Sequence, residues 1–174
     1  RAFVVGNGPS LNDIDITLIR DEITFGANRC FLGFPKWGFQ FTYWGCTDRV
    51  QIEDYTAEYE QHVPEDIIKF FPFEYLPLIS INNACPINQS YEVMDRPGLA
   101  TSADLIYMGN SITHTLVQIA ALMGCNPIIL IGVDHNYDLN NIPDSEQVKD
   151  MTPSQRRPSF VRRITQNFKQ LSSQ

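Results

Sequence analysis

Long apolar runs are missing from this chain. The longest, Pro127 to Val133, has the length of a strand and falls well short of the roughly 18 residues that a membrane-spanning helix needs. No transmembrane segment is therefore expected. Basic residues are also scarce. Lys and Arg number 13 against 20 Asp and Glu, a formal net charge of −7, whereas a general nucleic-acid binder carries a basic face. The four cysteines, Cys30, Cys46, Cys85 and Cys125, include no CxxC pair. That speaks against a zinc site and, at this chain size, against a disulfide framework. Reduced thiols in a cytoplasmic protein are the expectation. No signal-peptide pattern is present either. The chain opens at Arg1 without a methionine, so a natural N-terminus with any targeting segment is expected upstream. There is no internal repeat and no low-complexity tract.

What is present suffices for one core. The chain has 174 residues, 43% of them hydrophobic, which suits a single domain with at most a short appendage. All the acidic groups lie before residue 155, while residues 155–174 carry Arg156, Arg157, Arg162, Arg163 and Lys169. The expected division is a domain over residues 1–140 and a basic, helical C-terminal segment over 141–174. A solvated terminal helix is the plain expectation for such a charge run. Closed over the domain, its arginines would instead stabilise a leaving pyrophosphate.

Strand and helix signals alternate. Ala2-Phe3-Val4-Val5 reads as a buried strand ending at Gly6. A turn cluster and an amphipathic stretch with Leu11, Ile14, Leu18 and Ile19 follow. Ile23-Thr24-Phe25 and Phe41-Thr42-Tyr43-Trp44 read as strands, and Arg49 to His62 as a surface helix. Asp66 to Phe71 and Leu78 to Ile81 are expected as short strands set apart by prolines. Ala84 to Gly109 shows no period and is expected to be an irregular connection. Ser111 caps a predicted helix with Ile112, Leu116, Ile119, Ala120 and Met123 on one face, ended by Gly124. After Asn126-Pro127, the run Ile128-Ile129-Leu130-Ile131 is expected as a strand buried on both faces, as in a parallel sheet. This alternation predicts an α/β fold: a Rossmann-like, open, mainly parallel sheet with helices on both faces.

In such sheets ligands bind beyond the carboxyl ends of the strands, and small polar residues follow each strand here. Gly6-Asn7-Gly8-Pro9-Ser10 comes first. Its two glycines allow close backbone approach, and its amides with the Ser10 hydroxyl suit phosphate oxygens. The lysine of a Walker loop and the third glycine of a dinucleotide fingerprint are both absent. Gly26-Ala27-Asn28-Arg29, Thr47-Asp48-Arg49 and Gly132-Val133-Asp134-His135-Asn136-Tyr137 follow later strands. Gly109-Asn110-Ser111 opens the strongest helix, where free amides and the dipole attract an anion, and His114 in its first turn can donate to the same anion. Singly, each has a plainer role: Ser111 an N-cap, His114 a surface or capping residue, Asp134 a turn cap, Arg29 and Arg49 partners for surface acids. Their convergence on one sheet edge is what points to function.

Val4-Val5-Gly6-Asn7-Gly8-Pro9-Ser10-Leu11, Ile23-Thr24-Phe25-Gly26-Ala27-Asn28-Arg29, and the Ser111 helix leading to Ile129-Leu130-Ile131-Gly132-Val133-Asp134-His135-Asn136-Tyr137 together resemble the MptE-like family. That family includes archaeal 6-hydroxymethyl-dihydropterin diphosphokinases, and related domains occur in bacterial motility accessory factors implicated in flagellin glycosylation. The opening motif and the later strand ending in Gly-Val-Asp also resemble bacterial lipo-oligosaccharide sialyltransferases, which use a CMP-activated sugar. The resemblance spans residues 1 to about 138. It implies that Asn7, Gly8, Ser10 and Asn28 contact a nucleotide donor, with Asn110 and Ser111 as further donor-side contacts. Tyr137 stands one position off the tyrosine pattern of those enzymes. Their base is a histidine on a later segment, and no histidine follows His135 here.

Three readings follow. The leading one is a transferase binding a nucleotide-activated donor, sialyltransferase-like, acting on a small-molecule or glycan acceptor. His135, beside Asp134, is then the base that deprotonates the acceptor hydroxyl. The second is an ATP- and Mg²⁺-dependent pterin diphosphokinase, with Asp48 and Asp134 as magnesium carboxylates and Trp44, Tyr43 and Phe73 as aromatics for a pterin slot, although aromatics at such positions more often belong to the core. The third is a non-catalytic nucleotide-binding or scaffold domain.

Overall fold

A computed structural model of the chain describes residues 1–90, 100–107, 109 and 111–134. Six strands form one parallel sheet: β1 (Ala2–Val5), β2 (Ile23–Ala27), β3 (Tyr43–Gly45), β4 (Ile68–Pro72), β5 (Ala84–Ile87) and β8 (Ile128–Ile131), in the spatial order β5-β4-β3-β2-β1-β8. Two further strands, β6 (Gln89–Ser90) and β7 (Ile106–Tyr107), make a separate parallel pair. The helices are α1 (Phe34–Trp37), α2 (Arg49–His62) and α3 (Ile112–Leu122), with short 3-10 helices between them. The fold is α/β and Rossmann-like. From β1 to β5 the chain steps outward in one direction; it then returns through α3 and lays β8 on the far side of β1. Val5 is paired with Gly26 on one side and Ile131 on the other, so the strand order reverses between β1 and β8. That reversal is the crevice in which open α/β sheets hold ligands.

Successive strand residues face opposite sides of the sheet, and each side has its own core. Val5, Trp44 and Phe71 pack with Ile52 and Tyr59 of α2. Val4, Phe25 and Phe70 pack with Ile112, Leu116 and Ile119 of α3. Asp48 caps α2, its Oδ1 accepting from the Gln51 amide at 3.0 Å, and the Ser111 Oγ accepts from the Thr113 amide at 3.2 Å to start α3. Gly124, at φ +80°, follows α3, a left-handed position suited to glycine. All four cysteines are free. Burial pushes the Cys46 thiol up to about 12 and raises Cys30 as well, so neither ionises near neutral pH.

Several local expectations fail for identifiable reasons. Residues 11–19 do not form one amphipathic helix. Two 3-10 helices, Pro9–Asp13 and Ile16–Ile19, break at Asp15, whose side chain accepts from the Thr17 amide at 3.1 Å. Leu18 is consequently 80% exposed while Ile16 and Ile19 are buried. Leu78 to Ile81 is not a strand; Phe73–Leu78 is a 3-10 helix. The strand lies further on, inside the stretch expected to be irregular. Ala84–Ile87 pairs with β4, Phe71 opposite Pro86, and proline is tolerated because an edge strand has a neighbour on one side only. The run Ile128–Ile131 is a strand, but among the described residues it ends the sheet, and Leu130 is 49% exposed. Met123, expected on the buried face of α3, is also exposed. The segment 141–174 lies outside the described residues. Among those described, no helix is long and apolar enough to cross a membrane.

Candidate functional site

The loop after β1 meets the loop after β8. The Gly6 amide donates to the Ile131 carbonyl at 2.9 Å and the Gly8 amide to the Gly132 carbonyl at 2.8 Å. The Ser10 amide donates to Asp134 Oδ2 at 2.9 Å, and its hydroxyl is bonded to Asp134 Oδ1. The donors that suited a phosphate therefore serve the join between two neighbouring strands. An oxyanion does sit on Ser10, but it is the Asp134 carboxylate. Pro9 opens the following 3-10 helix and has no amide hydrogen to offer.

The glycines answer to the same join. A Cβ on Gly6 would stand 2.3 Å from the Gly132 carbonyl oxygen, and one on Gly8 would stand 2.3 Å from Asp134 Oδ2 and 2.7 Å from the Gly132 oxygen. Gly8 has φ −72° and ψ 153°, a conformation any residue adopts, so space alone demands glycine there. Gly8→Ala should cost about 1–3 kcal/mol, the usual penalty for forced overpacking. Urea denaturation measures it, and an unchanged midpoint would contradict the close approach.

On the β2 side of β1, the Asn7 Nδ2 donates to the Ala27 carbonyl at 2.9 Å. This ties the β1 loop to the end of β2. The next residue, Asn28, is left-handed at φ +49°, a conformation asparagine tolerates better than most residues. Its carbonyl accepts from the Trp44 indole nitrogen at 2.5 Å. Its Oδ1 is buried without a hydrogen-bond partner among the described residues, as is the Nε of Arg29. Buried polar atoms normally have partners, which sets these two apart from the rest of the rim. The rest of Arg29 is held by α2: its guanidinium donates to Glu58 at 2.6 Å and lies 4.7 Å from the Tyr55 ring centroid. Arg49 pairs with Glu53 at 2.7 Å. Both arginines thus meet acids, as their surroundings suggested. Thr47 is buried behind Asp48.

The start of α3 reaches the same edge. A Cβ on Gly45, the last residue of β3, would stand 3.2 Å from Ile112 Cδ1, so the Ser111 end of the helix lies against the carboxyl end of the sheet. Asn7, Ser10, Asn28, Ser111 and Asp134 therefore all stand at the carboxyl edge, on elements that adjoin. His135, Tyr137 and Asn110 lie outside the described residues.

The pterin slot does not assemble. Tyr43 and Trp44 are consecutive in β3 and face opposite sides of the sheet. Trp44 is fully buried among Tyr59, Phe71 and Phe31, Tyr43 stacks on Phe25 at 4.7 Å, and Phe73 is 67% exposed. The two carboxylates expected to hold magnesium each accept from a backbone amide. Asp48 caps α2 and Asp134 holds Ser10, and no group of three or more His, Cys, Asp or Glu side chains among the described residues could hold a metal. One residue escaped notice in the sequence. Gln118 is fully buried on α3, and its only signal was an amide between Val117 and Ile119 in an otherwise apolar stretch.

Comparison with protein-family models, with curated proteins and with solved structures gives no match for this chain.

Proposed function

We propose that this chain is a transferase domain that binds a nucleotide-activated donor, a CMP-sugar by its resemblance to sialyltransferases, and passes the sugar to a hydroxyl acceptor. The observation that carries the reading is Asn28. Its Oδ1 is buried without a partner among the described residues at the carboxyl edge of β2, one strand from the strand-order reversal. It offers an acceptor to a ligand hydroxyl or amino group. Asn7 and the Ser10–Asp134 pair hold the loops on either side of it, so their part is to position. In glycosyl transfer the acceptor hydroxyl loses a proton while the departing nucleotide phosphate takes up charge. His135, which follows Asp134 in the sequence, is the base assigned here. The diphosphokinase reading gains nothing from Asp48 and Asp134, whose carboxylates are both engaged by backbone amides.

Thermal denaturation with CMP, CDP, UDP and ATP, each with and without Mg²⁺, tests this. A ligand at 100 times its dissociation constant stabilises by about 2.7 kcal/mol, which raises the midpoint by several degrees. A cytidine nucleotide should do so without metal. Asn28→Gly, which keeps the left-handed backbone free of strain, should abolish the shift and leave the unliganded midpoint nearly unchanged. A shift by ATP that requires Mg²⁺ would instead favour the diphosphokinase, and silence across the panel the scaffold.

A further inference from the structure

Gln118 faces the ring of His114 from the next turn of α3. Its Oε1 accepts from two backbone amides, Ala100 at 3.1 Å and Tyr107 at 3.0 Å. Amide hydrogens can only donate, so the orientation of the side-chain amide is settled by its surroundings. The Nε2 end then has two hydrogens to place. One goes to the Tyr107 carbonyl at 2.7 Å, and the other meets His114 Nδ1 at 2.9 Å. The His114 carbonyl, 3.3 Å from Nε2, is a longer and weaker alternative. A donor facing Nδ1 requires Nδ1 to accept. The ring proton of neutral His114 must therefore sit on Nε2.

The surroundings hold that arrangement in place. Gln118 is fully buried, and a Cβ on Gly109 would stand 2.2 Å from His114 Nδ1, so the Nδ1 edge is closed between Gln118 and the Gly109 backbone. The opposite edge, Nε2–H, makes no hydrogen bond to any described residue. His114 belongs to the first turn of α3, the turn that packs against the end of β3 at the carboxyl edge.

We infer that Gln118 fixes His114 as the Nε2–H tautomer, making His114 a hydrogen-bond donor to a phosphate oxygen of the bound nucleotide and not a general base. Gln118 is the positioning residue. The tautomer stands on the hydrogen bonds alone, whereas the donor role rests on the nucleotide reading above.

The test is two-bond nitrogen–proton NMR on the full chain at a pH of about 8, where imidazoles are neutral. With only three histidines in the sequence, His114→Ala assigns the signal. His114 should show a bare Nδ1 and a protonated Nε2; the reverse pattern in the wild-type protein overturns the inference whatever the ligand does. Gln118→Glu places an acceptor opposite Nδ1 and should move the ring proton there. CMP titration then tests the donor role. His114→Ala should bind CMP about tenfold more weakly, the loss of one hydrogen bond to a charged group. Unchanged CMP affinity in that variant overturns the donor role and leaves nucleotide binding standing. If no nucleotide binds the wild-type protein, the transferase reading and the donor role both fall, and the tautomer is still decided by the spectrum.

Discussion

Trp44→Ala is expected to destabilise the protein by about 3–5 kcal/mol, the range for removing a large buried aromatic side chain. Trp44 is fully buried in the centre of the sheet, with ring centroids of Tyr59 at 4.9 Å, Phe71 at 5.3 Å and Phe31 at 6.3 Å. Neighbouring strands and α2 cannot close a hole of indole size without breaking the sheet register, so a cavity term adds to the lost burial. A polar loss comes on top. The indole N–H is the donor to the Asn28 carbonyl at 2.5 Å, and that residue holds a left-handed backbone at the candidate site. Trp44→Phe separates the two contributions: it retains most of the apolar volume, should cost less, and should still weaken nucleotide binding because Asn28 loses its anchor. Urea unfolding followed by far-ultraviolet circular dichroism measures both variants. An alanine variant within 1 kcal/mol of wild type would mean that the two cores are not packed as described.

Lys69→Met is expected to cost about 2–4 kcal/mol while leaving ligand-induced stabilisation intact. The Lys69 side chain is fully buried on β4, and its ammonium donates to three carbonyls: Ile67 at 2.6 Å, Glu65 at 3.1 Å and Asn82 at 3.1 Å. It ties the turn entering β4 to the turn entering β5, at the amino edge of the sheet and away from Asn28. Methionine matches the length and gains apolar burial, but it takes this donor from the buried Ile67 carbonyl and from the Asn82 carbonyl. Each orphaned group costs about 1–3 kcal/mol. Glu65 retains the Asn83 side-chain amide at 2.7 Å. There is also a pH signature. Burial lowers the Lys69 pKa below that of a solvated lysine, against the weaker opposing pull of Asp66 and Glu65. Between the lowered value and the ordinary one, the unfolded chain binds more protons than the folded one, so wild-type stability rises with pH across that window. The methionine variant should lack that rise. An equal pH slope in both proteins would show that Lys69 does not carry it.

Much of the architecture was legible in residue order because its signals are local. The α2 span follows from helical spacing, the Ser111-capped α3 from its cap and spacing, and β1, β2 and β8 from short apolar runs ended by turn residues. Tyr43 and Trp44, core residues as aromatics at such positions usually are, carry a readable signal. Strand alternation alone places consecutive residues on opposite faces, which already forbids a slot lined by both. The edge strand β5 was not legible: Ala-Cys-Pro-Ile has neither alternation nor a continuous apolar run, and only pairing with β4 makes it a strand.

By itself the sequence determined which segments become strands and helices and which small polar residues follow them, because caps, turns and periodicity act between residues a few positions apart. The tertiary structure alone decided how those residues are used. β8 returns beside β1, and Asp134 thereby reaches Ser10 across 124 positions of chain. A loop composed as an anion cradle becomes an internal join, while Asn28, one strand away, keeps a buried oxygen in need of a partner. Hydrogen-bond partners so far apart in sequence are set by strand order, and no local pattern encodes it.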